Sequence, residues 1–393
     1  MIFLSMVLLV SVIYSKYVLS LSMFGFFFLA LTYAGGSFKW WKNRSFLLVT
    51  LLFFLFVISG INSSNIGEWV HHLKMRLPFL AFPLVFYKLP AWNKKELMGL
   101  HVFFIGILFL SSIPVLYYIL ANFDVVFQDI ARGRPIETPV NHVKYSIFIA
   151  YGIISGLIIF FKGYVVKYRW EKKLLLLLVV YLTVFLHILA VRSGIAVLYI
   201  CVFLLGMIYS YRSGSIRAMG ATLIILILIP LAAFNFIPSL NKRIHYMVYD
   251  FNEFRKDGGD NYSDSDRINS LKVGLFLFRH NPLMGTGVGD IRDECEMQYL
   301  KSFGKDKRVL YPHNQYLFIA ASTGVLGLFL FLAGLWGPLI INHNYKDYLL
   351  LMLILMFSTG FMVDNLMERS FSAAFFAFFL TSFLSLRKSI PSQ

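Results

Sequence analysis

Long apolar runs alternate with short polar segments along most of the chain. A helix needs about 20 predominantly apolar residues to cross the hydrocarbon layer of a membrane. Twelve runs reach or approach that length, near residues 2–14, 17–34, 45–60, 73–88, 100–121, 143–162, 173–190, 195–210, 218–236, 315–339, 348–363 and 371–387. The pattern therefore predicts an all-α polytopic membrane protein with about twelve transmembrane helices.

Two of these runs are irregular. The first lacks a basic segment before it, so it is predicted to be an uncleaved helix rather than a signal peptide. It is short for a full crossing, which leaves a tilted or interfacial helix open. The fourth contains Pro78 and Pro83, and a kinked helix is predicted there because proline removes a backbone donor.

One polar segment, residues 237–313, is far longer than the others. It divides the chain into helices 1–9 (1–236), the large loop (237–313) and helices 10–12 (314–393). Since structureless loops of this size are unusual, it is predicted to fold at the membrane surface into short amphipathic helices. Ser265 and Asp266 are predicted to cap one of them, and Pro282 to end it. The glycines at 285, 287 and 289 are predicted to form a flexible turn back to the membrane.

Composition and charge narrow the class of protein. The chain is 58% hydrophobic and 14% charged, whereas an ordinary soluble domain is about a quarter charged. Soluble enzymes, disordered chains and disulfide-stapled secreted domains are therefore excluded. The net charge of +16 indicates attraction to anionic lipid, and no nucleic-acid partner is predicted.

The short loops also predict an orientation. One set carries sixteen Lys and Arg residues and the opposite set carries eight. Because cytoplasmic loops are richer in these residues, both termini are predicted to be cytoplasmic. The large loop then lies on the outer face.

The basic residues of the outer face are the candidates for chemistry. Arg192 sits in a tight turn between two apolar runs, where an ionisable residue is a functional candidate; the alternative is a snorkelling anchor. Arg267 opens the predicted loop helix, an unfavourable place for a cation; the alternative is a solvated charge. His313 precedes the tenth span and is a candidate general base; the alternative is a hydrogen-bonded residue at a helix start.

Further outer residues are weaker candidates for binding an anionic substrate. Each alone fits a solvated or lipid-headgroup contact, but together they would form an electropositive funnel. They are Arg76, Arg134, His142, Lys144 and, beside His313, Asn314. The Asp264 and Asp266 pair is not interpreted as a metal site, and neither a metal nor a cofactor is predicted.

Three segments occur in a recognisable order: Arg192-Ser193-Gly194, the stretch from Arg267 through 281–289, and His313-Asn314-Gln315-Tyr316-Leu317 followed by 324–327. Together they resemble the O-antigen ligase and O-antigen polymerase superfamily of bacterial membrane glycosyltransferases. The similarity spans about residues 187–340. One departure is Val191, where the family often has Ser. The resemblance implies a periplasmic active site in the inner membrane and a donor glycan on undecaprenyl pyrophosphate.

The resemblance also implies roles and alternatives. Arg192 and Arg267 would hold the pyrophosphate with help from Arg134, and His313 would accept the proton of the attacking hydroxyl. Ligases transfer the glycan to lipid A–core, polymerases to a second lipid-linked unit, and related members to protein. The large loop before His313 favours a ligase. Because pyrophosphate is already a good leaving group, metal-independent transfer is predicted, and direct displacement would invert the anomeric carbon. The alternatives from other classes are a transporter of polysaccharide or lipid-linked sugar and a cell-wall synthase.

Overall fold

A computed structural model describes residues 1–35, 38–163, 168–257, 263–304 and 308–386. These residues form helices and connecting turns and contain no strand. The α-helices are α1 Ile2–Tyr14, α2 Lys16–Thr32, α3 Arg44–Ser59, α4 Ile66–Arg76, α5 Pro78–Lys88, α6 Lys94–Ala121, α7 Phe123–Ala131, α8 His142–Lys162, α9 Arg169–Ile188, α10 Arg192–Ser213, α11 Ile216–Phe236, α12 Pro238–Asp257, α13 Ser263–His280, α14 Ile291–Phe303, α15 Gln315–Ile340, α16 Tyr348–Val363 and α17 Ser370–Leu386. The predicted all-α class is confirmed.

A helix covers each predicted span. Among the described residues, six helical stretches are long and apolar enough to cross a membrane; they begin at Arg44, Lys94, His142, Arg192, Ile216 and Gln315. α1, α2, α16 and α17 are apolar but shorter. The length and composition of these helices support a membrane protein, whereas the number of twelve crossings stays a prediction.

The chain folds into two compact units. The first comprises residues 1–97 and 265–393, and the second comprises 98–264. The large loop is accordingly shared, because α12 belongs to the second unit while α14 and nearly all of α13 belong to the first. The two units therefore do not coincide with the predicted division of the chain into helices 1–9, the large loop and helices 10–12.

The first unit is built around α3, α5, α15 and α17. α15 lies close to α3, since a Cβ on Gly334 would lie 2.9 Å from Leu52 Cγ. Elsewhere the interior is aromatic: the ring of Phe26 lies 5.5 Å from that of Phe86 and 6.2 Å from that of Phe378. Such edge-on and tilted ring pairs fill a core that the long Phe-rich runs supply.

The second unit surrounds α8, which is buried along most of its length. Small residues allow the close packing: a Cβ on Gly156 would lie 2.5 Å from Val179 of α9, and one on Gly194 of α10 would lie 2.4 Å from Ser146. Because Ser146 and Gly194 lie near the starts of α8 and α10, these two helix starts are neighbours.

Two predicted boundaries need correction. The fourth span is broken into two helices, with α4 ending at Arg76 and α5 beginning at Pro78, because proline fits the first turn of a new helix better than a helix interior. α13 begins at Ser263, so Ser265 and Asp266 lie in its first turn and do not cap it. Its end at His280 agrees with the prediction.

The tenth span is not one straight helix. α15 is interrupted at Gly324, whose backbone has φ 67° and ψ −168°, a region that favours glycine. The rings of Tyr316 and Phe331 lie 6.0 Å apart, although a straight helix would separate these positions by about 22 Å. The chain therefore bends back sharply at Gly324.

The bend is stabilised by the segment that was predicted to be a flexible turn. We name residues 282–290 the docking segment. Its Thr286 and Gly287 N–H groups donate to carbonyls before the bend, and its Pro282 carbonyl accepts from Val325 N–H at 2.8 Å. These bonds satisfy backbone groups that the broken helix leaves unpaired. The prediction of a flexible turn was wrong.

The docking segment also attaches to the end of α3. Val288 N–H donates to Ser59 Oγ at 2.9 Å, and the Asp290 carboxylate accepts from the Ser64 and Asn65 N–H groups at 2.8 and 2.7 Å. A Cβ on Gly287 would lie 2.2 Å from the Asn62 carbonyl oxygen. The glycines are thus required by close backbone approach, and they fix the loop that carries α13 and α14.

Candidate active site

His313 and Asp364 form a hydrogen-bonded pair at the start of α15. His313 Nδ1 lies 3.1 Å from Asp364 Oδ1, with the histidine 27% exposed and the carboxylate 8% exposed. Asp364 Oδ1 also accepts from Asn365 N–H at 2.9 Å. A carboxylate at Nδ1 favours the tautomer that donates there and leaves Nε2 as the acceptor. In the described part of the chain, no residue hydrogen-bonds to Nε2, so this nitrogen can receive a proton.

The three residues after His313 bond to the end of α16 and the loop that follows it. Because four consecutive residues contact the same segment, the start of α15 and the loop that carries Asp364 are held in one register. The bonds run from Asn314 Nδ2 to the Met362 carbonyl (3.1 Å), from Met367 N–H to Gln315 Oε1 (2.8 Å) and from the Tyr316 hydroxyl to the Ser358 carbonyl (3.1 Å).

Both ends of the Asn314 amide are used inside the protein. Besides its bond to Met362, Asn314 accepts the Leu317 N–H at 2.9 Å and so caps α15. The sequence predicted Asn314 as a substrate ligand. Its bonds in the structure orient the residues around His313, and its role as a substrate ligand stays a prediction.

Arg267 lies on the helix that contacts His313. Three residues later, Ser270 Oγ accepts from the His313 N–H at 3.1 Å and donates to the Arg267 carbonyl at 2.7 Å. A Cβ on Gly274 would lie 2.6 Å from Pro312 Cγ, which shows how closely α13 approaches this segment. The structure therefore places the backbone of Arg267, whose side chain is half-buried, one helical turn before the residue that contacts His313. A shared site for Arg267 and His313 stays a prediction.

Arg76 belongs to a group that we name the buried polar cluster, formed by His72, Arg76, Gln315 and Glu368. Arg76 Nη2 donates to Glu368 Oε1, and Gln315 Nε2 donates to the same oxygen at 3.2 Å. His72 Nδ1 lies 3.0 Å from Glu368 Oε2. Arg76 is 1% exposed, and its guanidinium carbon lies 4.2 Å from the centre of the Phe56 ring. The predicted place of Arg76 on an accessible outer surface is therefore corrected.

Glu368 is charged at neutral pH despite its burial. Loss of solvation alone would raise its pKa, but the guanidinium of Arg76 and the adjacent imidazole of His72 outweigh that effect and lower the pKa to about 2. A buried carboxylate needs such partners to stay ionised. The buried polar cluster thus carries a fixed negative charge against a fixed positive one.

The second unit holds Arg192, His142 and Lys144. Arg192 is the first residue of α10 and follows Ala190, whose φ is 51°. His142 and Lys144 lie in the first turn of α8, which neighbours the start of α10; Lys144 is buried, whereas His142 and Arg192 are partly exposed. The structure thus places these three predicted residues at one end of the second unit.

Arg134 occupies a more open position. Its side chain is 68% exposed, and Nη1 lies 3.2 Å from Asp129 Oδ1. An exposed ion pair of this kind contributes little to stability, so the guanidinium remains available to solvent and to anions.

Arg192, Arg267 and His313 all lie in one stretch of the chain that is similar to a known family. Residues 176–332 match the family model described as O-antigen ligase. This match supports membership of the O-antigen ligase superfamily. Its members are glycosyltransferase-like enzymes that act on lipid-linked glycans. No curated protein matches the chain.

The superfamily match contains Arg192, Arg267 and His313 but not the acidic partners. Asp364 and Glu368 were missed by sequence reasoning. One signal was present: both lie in the short segment between the last two apolar runs, on the same predicted side of the membrane as His313. Acidic residues in that position are a reason to look for a basic partner.

Proposed function

We propose that this protein is a member of the O-antigen ligase superfamily and a ligase of the bacterial inner membrane. It moves a glycan from undecaprenyl pyrophosphate to a sugar hydroxyl of lipid A–core on the periplasmic face. The observation that carries the proposal is the His313–Asp364 pair, with Nε2 open, beside the helix that bears Arg267. The superfamily match supports the class of reaction.

The reaction needs a base and a means of stabilising a leaving pyrophosphate. The acceptor hydroxyl attacks the anomeric carbon and gives its proton to His313 Nε2, while Asp364 stabilises the imidazolium that forms. The bond from the anomeric carbon to the pyrophosphate oxygen breaks, and undecaprenyl pyrophosphate leaves with the electron pair. Direct displacement inverts the anomeric carbon.

Arginine side chains provide the charge for the leaving group. Arg267, in the first unit, is proposed to bind pyrophosphate oxygens, since a guanidinium binds phosphate with two parallel hydrogen bonds and stays charged. Arg192, in the second unit, is proposed as a further anion-binding residue, with the partly exposed His142 and the exposed Arg134 in weaker roles; Lys144, which is buried, is not assigned such a role. Because pyrophosphate is already a good leaving group, the proposal assigns catalysis to positioning and charge stabilisation without a metal.

The test is an assay in proteoliposomes with a lipid-linked glycan as donor. Lipid A–core and a second donor molecule are offered as separate acceptors, with wild type and His313→Ala side by side. We expect glycan transfer to lipid A–core that falls about 10²–10⁴-fold in His313→Ala.

Other outcomes identify other functions. Donor chains that lengthen instead would make the protein a polymerase with the same base. Donor that changes leaflet with its glycosidic bond intact would make it a transporter and overturn the proposal.

A further inference from the structure

We propose that the ion pair of Arg76 and Glu368, together with Gln315, positions Asp364 against His313. None of the three touches the reacting atoms, so they are positioning residues rather than catalytic residues. The inference rests on the proposed function, because it assigns the pair a part in aligning the proposed base.

Two parallel connections join the start of α15 to the loop after α16. His313 bonds to Asp364 at 3.1 Å. Two residues further along, Gln315 bonds to Glu368 and Met367, at 3.2 and 2.8 Å. The loop from Asp364 to Glu368 is therefore held at both ends by residues 313–315. If the connection at Glu368 is released, the loop keeps its contacts at the Asp364 end, including the Asn314–Met362 bond, but loses the side-chain contact that fixes its other end.

Glu368 in turn is held by α4. Arg76 Nη2 donates to the same Oε1 atom that accepts from Gln315, and His72 Nδ1 lies 3.0 Å from Oε2. The Phe56 ring covers the guanidinium. These contacts restrict Glu368 from a third part of the chain, so the carboxylate is the point at which α4, α15 and the loop after α16 meet.

Stability alone does not account for this arrangement. Buried ion pairs are often no more stabilising than well-packed apolar residues of similar volume, because both charges lose their hydration. Nε and Nη1 of Arg76 make no hydrogen bond although they are buried, an added unfavourable term. The ion pair instead fixes the position of the loop that carries Asp364, since the geometry of a functional site depends on supporting residues whose own positions are fixed.

The main variant removes both charges at once. Arg76→Leu/Glu368→Leu leaves no uncompensated buried charge, so we expect the protein to fold. We expect kcat for glycan transfer to fall by at most about 10- to 150-fold with the donor KM unchanged, because a displaced Asp364 can lose no more than its hydrogen bond to His313. Gln315→Leu breaks the connection to α15 without altering the ion pair, and we expect the same loss.

A matched control exists on the same helix. Glu68 of α4 pairs with Arg292 at 3.5 Å near the surface, with the arginine 62% exposed. Glu68→Ala/Arg292→Ala removes an ion pair of the first unit that is not connected to Asp364 by any bond described above. We expect its kcat to equal that of wild type.

A double-mutant cycle separates positioning from a merely structural role. If the pair acts through Asp364, adding Arg76→Leu/Glu368→Leu to Asp364→Ala lowers kcat no further, because the position of an absent carboxylate is irrelevant. Multiplication of the two losses would overturn the inference. So would wild-type kcat in either Gln315→Leu or the folded Arg76→Leu/Glu368→Leu variant.

A second readout does not depend on activity. Carbethoxylation of His313 by diethyl pyrocarbonate is followed by mass spectrometry, with the exposed His343 as internal reference. At pH 8 we expect the rate at His313 to fall about 2- to 10-fold in Asp364→Ala, the factor that a lost hydrogen bond corresponds to, because the carboxylate at Nδ1 makes Nε2 the stronger nucleophile. We expect an equal fall in Gln315→Leu. An unchanged rate in Gln315→Leu overturns the inference. If His313 reacts at the expected rates in wild type and in the variants but wild type transfers no glycan, the proposed function is overturned and the positioning of Asp364 is not.

Discussion

Replacement of Asp364 by alanine tests whether the carboxylate assists His313. The substitution removes the acceptor 3.1 Å from His313 Nδ1 and leaves the histidine and its neighbours in place. If Asp364 stabilises the imidazolium during transfer, its loss should act on the chemical step rather than on binding of the donor.

The structure allows the size of the effect to be worked out. The carboxylate is 8% exposed, so little water replaces the lost bond. A hydrogen bond to a charged group contributes roughly 1.5–3 kcal/mol, and each 1.36 kcal/mol corresponds to a tenfold change in rate. We therefore expect kcat to fall about 10- to 150-fold, less than in His313→Ala, with the donor KM unchanged.

The assay is the initial rate of glycan transfer in proteoliposomes at saturating acceptor. Asp364→Asn is the graded variant, because an amide oxygen can still accept from Asn365 N–H while the charge is lost; its kcat should lie between those of wild type and Asp364→Ala. Asp347→Ala is the matched control: this carboxylate caps the opposite end of α16 by accepting from Leu349 N–H at 2.9 Å. Its loss should lower stability by about 1 kcal/mol and leave kcat unaltered.

Two results would refute the reasoning. The first is a wild-type kcat in Asp364→Ala. The second is a further 10- to 150-fold loss when Asp364→Ala is added to His313→Ala, since a carboxylate that acts through His313 has no effect once the histidine is gone.

Three further predictions concern stability and reactivity. Gly324→Ala should destabilise the protein by about 1–3 kcal/mol, because φ is 67° and the new Cβ would lie 2.2 Å from the Leu283 carbonyl carbon. Gly106→Ala, which adds a Cβ in open space, should not destabilise it. Melting temperatures of the two variants in detergent test this difference, and equal values would contradict the bend at Gly324. The pKa of Glu368 is lowered from 4.5 to about 2, so the stability that the ionised carboxylate contributes is present above pH 4.5 and is lost as the pH falls towards 2. In Glu368→Gln the melting temperature should therefore depend less on pH between 4.5 and about 2, and a wild-type dependence would contradict this prediction. Burial raises the pKa of the Cys295 thiol to about 12, so iodoacetamide at pH 8 should label it only after denaturation, and rapid labelling of the native protein would show that the thiol is accessible.

The sequence was sufficient to predict the helices, because they depend on local composition. Runs such as those of α10 and α16 are apolar over most of their length, and the need to satisfy every backbone group in lipid leaves a helix as the conformation for an isolated run. The sequence also singled out three candidates, Arg192, Arg267 and His313. Each is a basic or titratable side chain at a position where the burial of apolar segments in the membrane does not explain it.

The features that were missed depend on partners far away in the chain. A glycine within an apolar run is common in membrane helices, so Gly324 gave no sign of a bend; the bend exists because the docking segment satisfies its backbone groups. Likewise, Arg76 resembled an outer-surface charge. Only the approach of Glu368, 292 residues away, shows that it is buried.

The central claim is that this protein forms a glycosidic bond with His313 as the base. The most direct measurement follows glycan transferred to lipid A–core and undecaprenyl pyrophosphate released, together, by purified protein in proteoliposomes. The account predicts one pyrophosphate released for each glycan transferred by wild type, and a loss of both by about 10²–10⁴-fold in His313→Ala. Transfer by His313→Ala at the wild-type rate, or donor that crosses the bilayer without release of pyrophosphate, would contradict it.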